Sequence, residues 1–223
     1  GKGSGTPAEL VERVSGLVSV WHQPQQGAAR CVAGLEQVHD QWFGERITLR
    51  GSSFLQVNRP VAELLHRHVI EQLEAQPGHR VIDAYCGIGL YARQLAAAGC
   101  AVIGIELDSH AAREAMRSCG PDCRIVQGRT EDHLARVLPA DRVIVNPPRG
   151  GLDVQVIEQL NAQPVPRWVY VSCDPATLAR DLGRCSDLYE IRRVLTFDLF
   201  PQTAHVETVV TLDLRHDSQP DGA

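Results

Sequence analysis

No stretch of the chain approaches the ~20 consecutive apolar residues that a membrane-crossing helix needs. The opening run Gly1-Lys2-Gly3-Ser4-Gly5-Thr6 also lacks the apolar segment of a secretory leader. These absences lead us to expect a soluble globular protein in the cytoplasm. An excess of positive charge is missing as well: 22 Lys and Arg stand against 27 Asp and Glu, a formal net charge of -5. Nucleic-acid binding draws most of its non-specific strength from neutralised phosphates, so such a partner would have to be gripped by a local surface or by domains outside this sequence. A zinc-ligand pattern is absent too. Cys119 and Cys123 are close together, but no second Cys or His pair accompanies them at ligand spacing. The seven cysteines, an odd number with no export signal, are expected as reduced thiols, and no metal is expected. There are no internal repeats.

What the chain does have is 223 residues, 43% of them hydrophobic, enough for one substantial core. From about residue 78 onward, strand-length apolar runs alternate with segments of helical period. Strands are predicted at 80–84, 101–106, 124–127, 142–145 and 168–172, and helices at 60–76, 90–98, 109–118, 131–137, 153–160 and 175–182. That alternation predicts an α/β fold, a mostly parallel sheet covered on both faces. Residues 189–198 and 206–214 are both extended with no helix between them, which predicts an antiparallel hairpin closing the sheet edge. The first fifty residues differ, with short β-like pieces at 17–21, 30–33 and 46–49.

The segment Asp83-Ala84-Tyr85-Cys86-Gly87-Ile88-Gly89 follows the first of these strands and opens a helix. Glycines there let backbone amides approach a ligand closely. About twenty residues on, Glu106 ends the next strand, where a carboxylate can accept the hydroxyls of a ribose. Together these predict a nucleotide-type cofactor site. The motif lacks the third glycine of the dinucleotide fingerprint, which tilts against a nicotinamide cofactor.

Three further segments carry chemistry: Asn146-Pro147-Pro148-Arg149-Gly150-Gly151, Val171-Ser172-Cys173-Asp174-Pro175, and the stretch from Asp198 through His205, Val206 and Glu207. With Ser53-Phe54-Leu55-Gln56-Val57-Asn58, they make the chain closely resemble the RNA uracil-5-methyltransferase family, over approximately residues 45–214. The resemblance implies a class I S-adenosylmethionine-dependent methyltransferase fold, S-adenosylmethionine as cofactor and RNA, ribosomal 23S or transfer, as substrate. It assigns Cys173 as nucleophile and Glu207 as base, and it carries cofactor contacts onto Gln56, Tyr85, Gly87, Gly89, Glu106 and Asn146, with Pro147, Arg149 and His205 as support. Cys173 lies just ahead of a helix that Pro175 would start, and a positive helix end is expected to favour its thiolate. Three positions depart from the family pattern: Asn146 stands where aspartate is usual, Leu90 where several relatives have asparagine, and Asp174 where asparagine is common. An extra carboxylate at 174 is expected to raise the thiol pKa.

The organisation that follows is a remnant of a central RNA-recognition domain at 1–50, a catalytic domain at 51–215 and a disordered tail at 216–223. A chain starting with a Gly/Ser run and no methionine also suggests that upstream RNA-binding domains are missing, and the catalytic unit is expected to be monomeric. Arg149, Arg180, Arg184, Arg192 and Arg193 are candidate phosphate contacts. Two rivals stand beside this reading. An adenine-N6-type amino-methyltransferase would use Asn146-Pro147-Pro148 but needs an aromatic residue next, where Arg149 stands. A degenerate RNA-binding module would keep the fold without turnover.

Overall fold

The computed structural model describes residues 5–25, 27, 29–42, 44–51, 58–203 and 206–215. Gln56, His205 and the 216–223 tail, about which the sequence raised expectations, lie outside them. The chain divides into two compact units, residues 1–55 and 56–223.

In the first unit, α1 (Pro7–Arg13) starts at a reciprocal cap. The Thr6 hydroxyl accepts the Glu9 amide, and the Glu9 carboxylate accepts the Thr6 amide at 2.8 Å. Two antiparallel hairpins follow, β1 (Ser19–His22) with β2 (Arg30–Gly34) and β3 (Val38–Trp42) with β4 (Glu45–Leu49). The predicted β-like pieces fall on β1, β2 and β4, whereas α1 and β3 were not anticipated.

The second unit runs α2 (Arg59–Leu73), β5 (Arg80–Ala84), α3 (Leu90–Ala97), β6 (Ala101–Glu106), α4 (Ser109–Ser118), β7 (Cys123–Gln127), α5 (Thr130–Val137), β8 (Arg142–Val145), α6 (Val154–Ala162), β9 (Arg167–Ser172), α7 (Pro175–Gly183), β10 (Tyr189–Phe197) and β11 (Glu207–Leu214). Its strands form one sheet in the order β7-β6-β5-β8-β9-β11-β10. The first five are parallel, and β11 runs antiparallel to both β9 and β10. This is the class I methyltransferase fold that the alternating pattern and the closing hairpin predict.

Two features of this sheet position the site. The chain reverses its winding at β5, which pairs with both β6 and β8, so the crevice beyond the carboxyl end of β5 is the open one. The register of β9 against β11 is pinned at the far end, where Arg167 makes a two-pronged contact with Asp213, its cross-strand partner, at 2.6 and 2.9 Å. The core beneath is apolar and dense. Trp168, Tyr170, Leu160, Leu134 and Tyr189 are buried, and the Tyr189 hydroxyl is satisfied by accepting the Val165 amide at 2.9 Å and donating to the Leu160 carbonyl at 3.2 Å.

Candidate active site

The chain leaves β5 through a strained turn. Tyr85 takes a positive φ of 65°, followed by Gly87 at 56° and Gly89 at 81°. A left-handed tyrosine costs of order 1–2 kcal/mol and persists only where surroundings over-determine it. Here the Cys86 amide donates to the Ile105 carbonyl at 3.0 Å and the Gly89 amide to the Cys86 carbonyl at 2.9 Å. The Tyr85 hydroxyl is half-buried and hydrogen-bonded to Thr130, and burial pushes its pKa up to about 12. A Cβ on Gly87 would meet nothing within 4 Å, so open space lies over that residue, whereas one on Gly89 would press on Ala115 at 3.0 Å.

Glu106, at the end of β6, is the acid that organises this turn. One carboxylate oxygen accepts the Gly87 amide at 2.8 Å and the other accepts the Asp108 amide at 2.6 Å. Each oxygen keeps a further lone pair. Beneath the turn lies a residue singled out only by its place in the glycine motif, Asp83. It is fully buried, one oxygen accepts the Ala92 amide at 3.1 Å, and the other, Oδ1, has no hydrogen-bond partner. Burial lifts its pKa to about 8. Cys119 and Cys123 hydrogen-bond to each other nearby.

A second cluster forms where β9 ends and β11 begins. Their last ladder pair is Ser172 with Thr208, which makes Cys173 and Glu207 the next cross-strand neighbours. Cys173 is partly buried and Glu207 is buried, at 5% exposure. The thiol is pushed up from its ordinary pKa, first by burial, then by the charge of Glu207, with Asp174 a lesser contributor and Arg149 acting in the opposite direction. This corrects the expectation of a helix-favoured thiolate. The α7 amides that would stabilise it are already occupied, because the Asp174 carboxylate caps the helix by accepting the amides of Ala176 at 2.9 Å and Thr177 at 3.0 Å.

Between the two clusters runs the loop after β8. Asn146 is partly exposed and its amide donates to the Ala84 carbonyl at 3.4 Å, beside the glycine turn. Pro147 is buried and Arg149 is exposed. Tyr91 is buried behind the turn, and burial, with lesser contributions from Asp83 and Glu207, raises its pKa. Its ring stacks on His66 at 4.3 Å, and the His66 ring contacts Gln94 at 2.6 Å. Tyr91 and His66 carried no signal in the sequence beyond helical spacing. Of the five arginines that are candidate phosphate contacts, Arg180 and Arg184 also pair with the buried carboxylate of Asp181. Among the described residues, no group of three or more His, Cys, Asp or Glu is arranged to hold a metal ion, and no helix is long and apolar enough to cross a membrane.

Residues 129–215 match the family model described as tRNA (uracil-5-)-methyltransferase. An uncharacterized RNA methyltransferase of Gloeobacter violaceus is 42% identical over 190 residues, 82% of this chain and 41% of that protein. One from a Nostoc species is 38% identical over 193 residues, 83% of this chain and 42% of that protein. The chain thus spans less than half the length of these curated relatives. Among solved structures, the Pyrococcus abyssi tRNA (uracil-54, C5)-methyltransferase in complex with S-adenosyl-L-homocysteine superposes with a TM-score of 0.77 at 27% identity, covering 93% of this chain and 54% of that one.

Proposed function

Because the chain belongs to the RNA (uracil-5-)-methyltransferase family, we propose that it is the catalytic part of an enzyme that methylates carbon 5 of a uracil in RNA, with S-adenosylmethionine as donor. The observation that best supports this reading is the register of β9 against β11, whose last pair is Ser172 with Thr208, so that Cys173 and the buried Glu207 come next, at the same end of the sheet as the glycine turn.

The residues at that turn fit the cofactor. Glu106 retains acceptor capacity for ribose hydroxyls, and Gly87 leaves open space above the backbone. Tyr85, Gly89 and Asn146 complete the described part of the site, with Gln56 as the remaining contact. When bound, S-adenosylmethionine supplies a methyl group on a positively charged sulfur, open to attack by an electron-rich carbon.

Uracil carbon 5 is not electron-rich enough by itself. Cys173 changes that: its sulfur loses a proton and forms a bond to carbon 6, and the ring's electron pair moves to the carbonyl oxygen as an enolate. The enolate makes carbon 5 the nucleophile. After methylation carbon 5 still bears its hydrogen, which Glu207 removes. The released electrons rebuild the carbon 5–carbon 6 double bond and expel the thiolate. Arg149 is close enough to Cys173 to lower its thiol pKa, and the family resemblance gives Pro147 and His205 supporting roles. The first unit serves as the closing part of an RNA-recognition domain. The target RNA is ribosomal or transfer RNA, with a lean towards the ribosomal 23S molecule from the Val171–Asp181 segment.

The test uses RNA containing 5-fluorouracil, in which carbon 5 carries fluorine in place of the proton Glu207 would take. Incubated with cofactor, the protein is expected to form a covalent adduct that survives a denaturing gel. Cys173→Ala should abolish it while leaving cofactor binding by calorimetry nearly unchanged. A wild-type protein that binds RNA and cofactor yet forms no adduct would refute the reading.

A further inference from the structure

The loop carrying Arg149 is held almost entirely by one helix, and that helix starts at the nucleophile. Three side chains of α7 reach the backbone of residues 149–152. The Thr177 hydroxyl donates to the Arg149 carbonyl at 3.4 Å, Arg180 Nη2 donates to the Gly150 carbonyl at 2.9 Å, and Asp181 Oδ2 accepts the Leu152 amide at 2.8 Å. Asp181 is buried, and its carboxylate is filled from every side. It also accepts the Tyr170 hydroxyl at 2.8 Å and Arg180 Nε at 2.9 Å. The intervening Gly151 has a φ of +77°, and a Cβ there would lie 2.5 Å from Asp181 Oδ2 and 2.7 Å from Arg180 Nη2. Loop and helix are therefore in direct backbone-to-side-chain contact with no room for a side chain between them.

Such an arrangement is more than helix packing. A buried carboxylate is stable only when paired and hydrogen-bonded, and here its partners come from the loop after β8, from β9 and from α7 itself. The charged groups that act on the Cys173 thiol are Glu207 from β11, Asp174 from the cap of α7 and Arg149 from the loop. Only Arg149 among them is positive, and it is solvent-exposed, so its place beside the sulfur depends on its backbone.

We propose that Arg180 and Asp181 are positioning residues, which act through the 149–152 loop to hold Arg149 against the Cys173 thiol. The proposal rests on the reading of Cys173 as nucleophile, and it adds that the helix following the nucleophile also orders the cation beside it. Arg180 is thereby a structural brace.

The experiment measures the pH dependence of Cys173 alkylation by iodoacetamide, followed at the Cys173 peptide by mass spectrometry, together with the rate of adduct formation on 5-fluorouracil RNA. Arg149→Ala should raise the alkylation midpoint by about half a pH unit or more. Arg180→Ala should raise it in the same direction and slow adduct formation about tenfold, the scale of a small misplacement of a reacting group. Arg180→Lys, which retains a donor, should recover part of both. Gly151→Ala disturbs the same contacts from the loop side and should reproduce the shift. Arg184→Ala touches the Asp181 carboxylate at 3.5 Å but no loop carbonyl, and should keep the wild-type midpoint. Folded Arg180→Ala and Gly151→Ala proteins with wild-type midpoints and adduct rates would overturn the proposal. A wild-type protein that forms no adduct would instead defeat the uracil chemistry, while the alkylation midpoints would still decide the role of Arg180.

Discussion

Asp83 should make the stability of this protein fall as pH rises, against the usual behaviour of a carboxylate. Its folded pKa is raised to about 8 from 3.8 by burial, so between those values the folded state holds a proton that the unfolded chain has released. Stability then changes by about -1.4 kcal/mol per pH unit. The stabilising contribution is fully present below pH 3.8 and is lost as pH climbs through the folded pKa, a loss on the order of 5 kcal/mol across the window. A raw stability curve would hide this, because His66 has the opposite sign. Its pKa is depressed to about 4 from 6.5, chiefly by burial, so its contribution is present above pH 6.5 and lost as pH falls towards 4. The assay is therefore a difference: urea unfolding of the wild type and of Asp83→Asn at half-unit steps from pH 4 to 9. The neutral amide carries a roughly constant cost for a buried donor without an acceptor. The wild type should be the more stable protein at pH 4, and its advantage should shrink steadily to pH 8. A wild-type minus Asp83→Asn difference that is flat over that range would refute the argument.

Glu207→Gln should lower the alkylation midpoint of Cys173, since a charge that raises it is removed, yet turnover should collapse while the fluorouracil adduct still forms; ordinary turnover would remove Glu207 from its role. Gly104→Ala would place a Cβ 2.6 Å from Ile125 Cδ1 and 2.8 Å from Cys86 Sγ, so it should cost ~1–3 kcal/mol by overpacking and weaken cofactor binding through the Cys86 turn, both measurable by calorimetry. Leu160→Ala, at a fully buried position of the main core, should cost ~2–5 kcal/mol in urea unfolding without moving the Cys173 alkylation midpoint. Filter binding should find only weak RNA affinity for this chain alone, given its net charge of -5; tight, salt-sensitive retention would contradict that expectation.

The strands and helices of the second unit were legible because period decides them. Runs such as Val143-Ile144-Val145 and Trp168-Val169-Tyr170-Val171, all buried, suit only a doubly covered sheet. Several boundaries coincide and the rest shift by one to three residues, as fraying ends do. In the first unit β3 escaped notice because Val38-His39-Asp40-Gln41-Trp42 has a polar interior and alternates between exposed and partly buried positions. α1 did carry a local signal, the Thr6 to Glu9 capping box, hidden behind a Gly/Ser opening. At the site, the glycine turn and the proposed Cys173 and Glu207 each sit in a compact motif that the sequence displays. Asp181 does not, since its partners lie 11 residues away at Tyr170 and 29 away at Leu152, and no local pattern encodes a contact of that reach. The thiol's electrostatics were misjudged for a related reason: helix position is visible in sequence, but burial and a cross-strand carboxylate are not.

That misjudged electrostatic balance bears on how the proposed reaction is ordered. A thiolate at Cys173 and a carboxylate at Glu207 repel one another in a partly buried site, and Asp174 adds to the repulsion. Resting thiol is thus favoured over resting thiolate, which limits stray attack on other electrophiles. Once sulfur bonds to carbon 6 in the proposed reaction, its charge passes to the uracil oxygen, and the cause of the repulsion is gone. The group that discourages the first step in the absence of substrate is the one the proposed last step uses as base. The proposed nucleophile follows the last residue of β9 and the proposed base opens β11, one step past the Ser172–Thr208 pair, so the nearness that raises the thiol pKa is the same nearness the proposed last step would use.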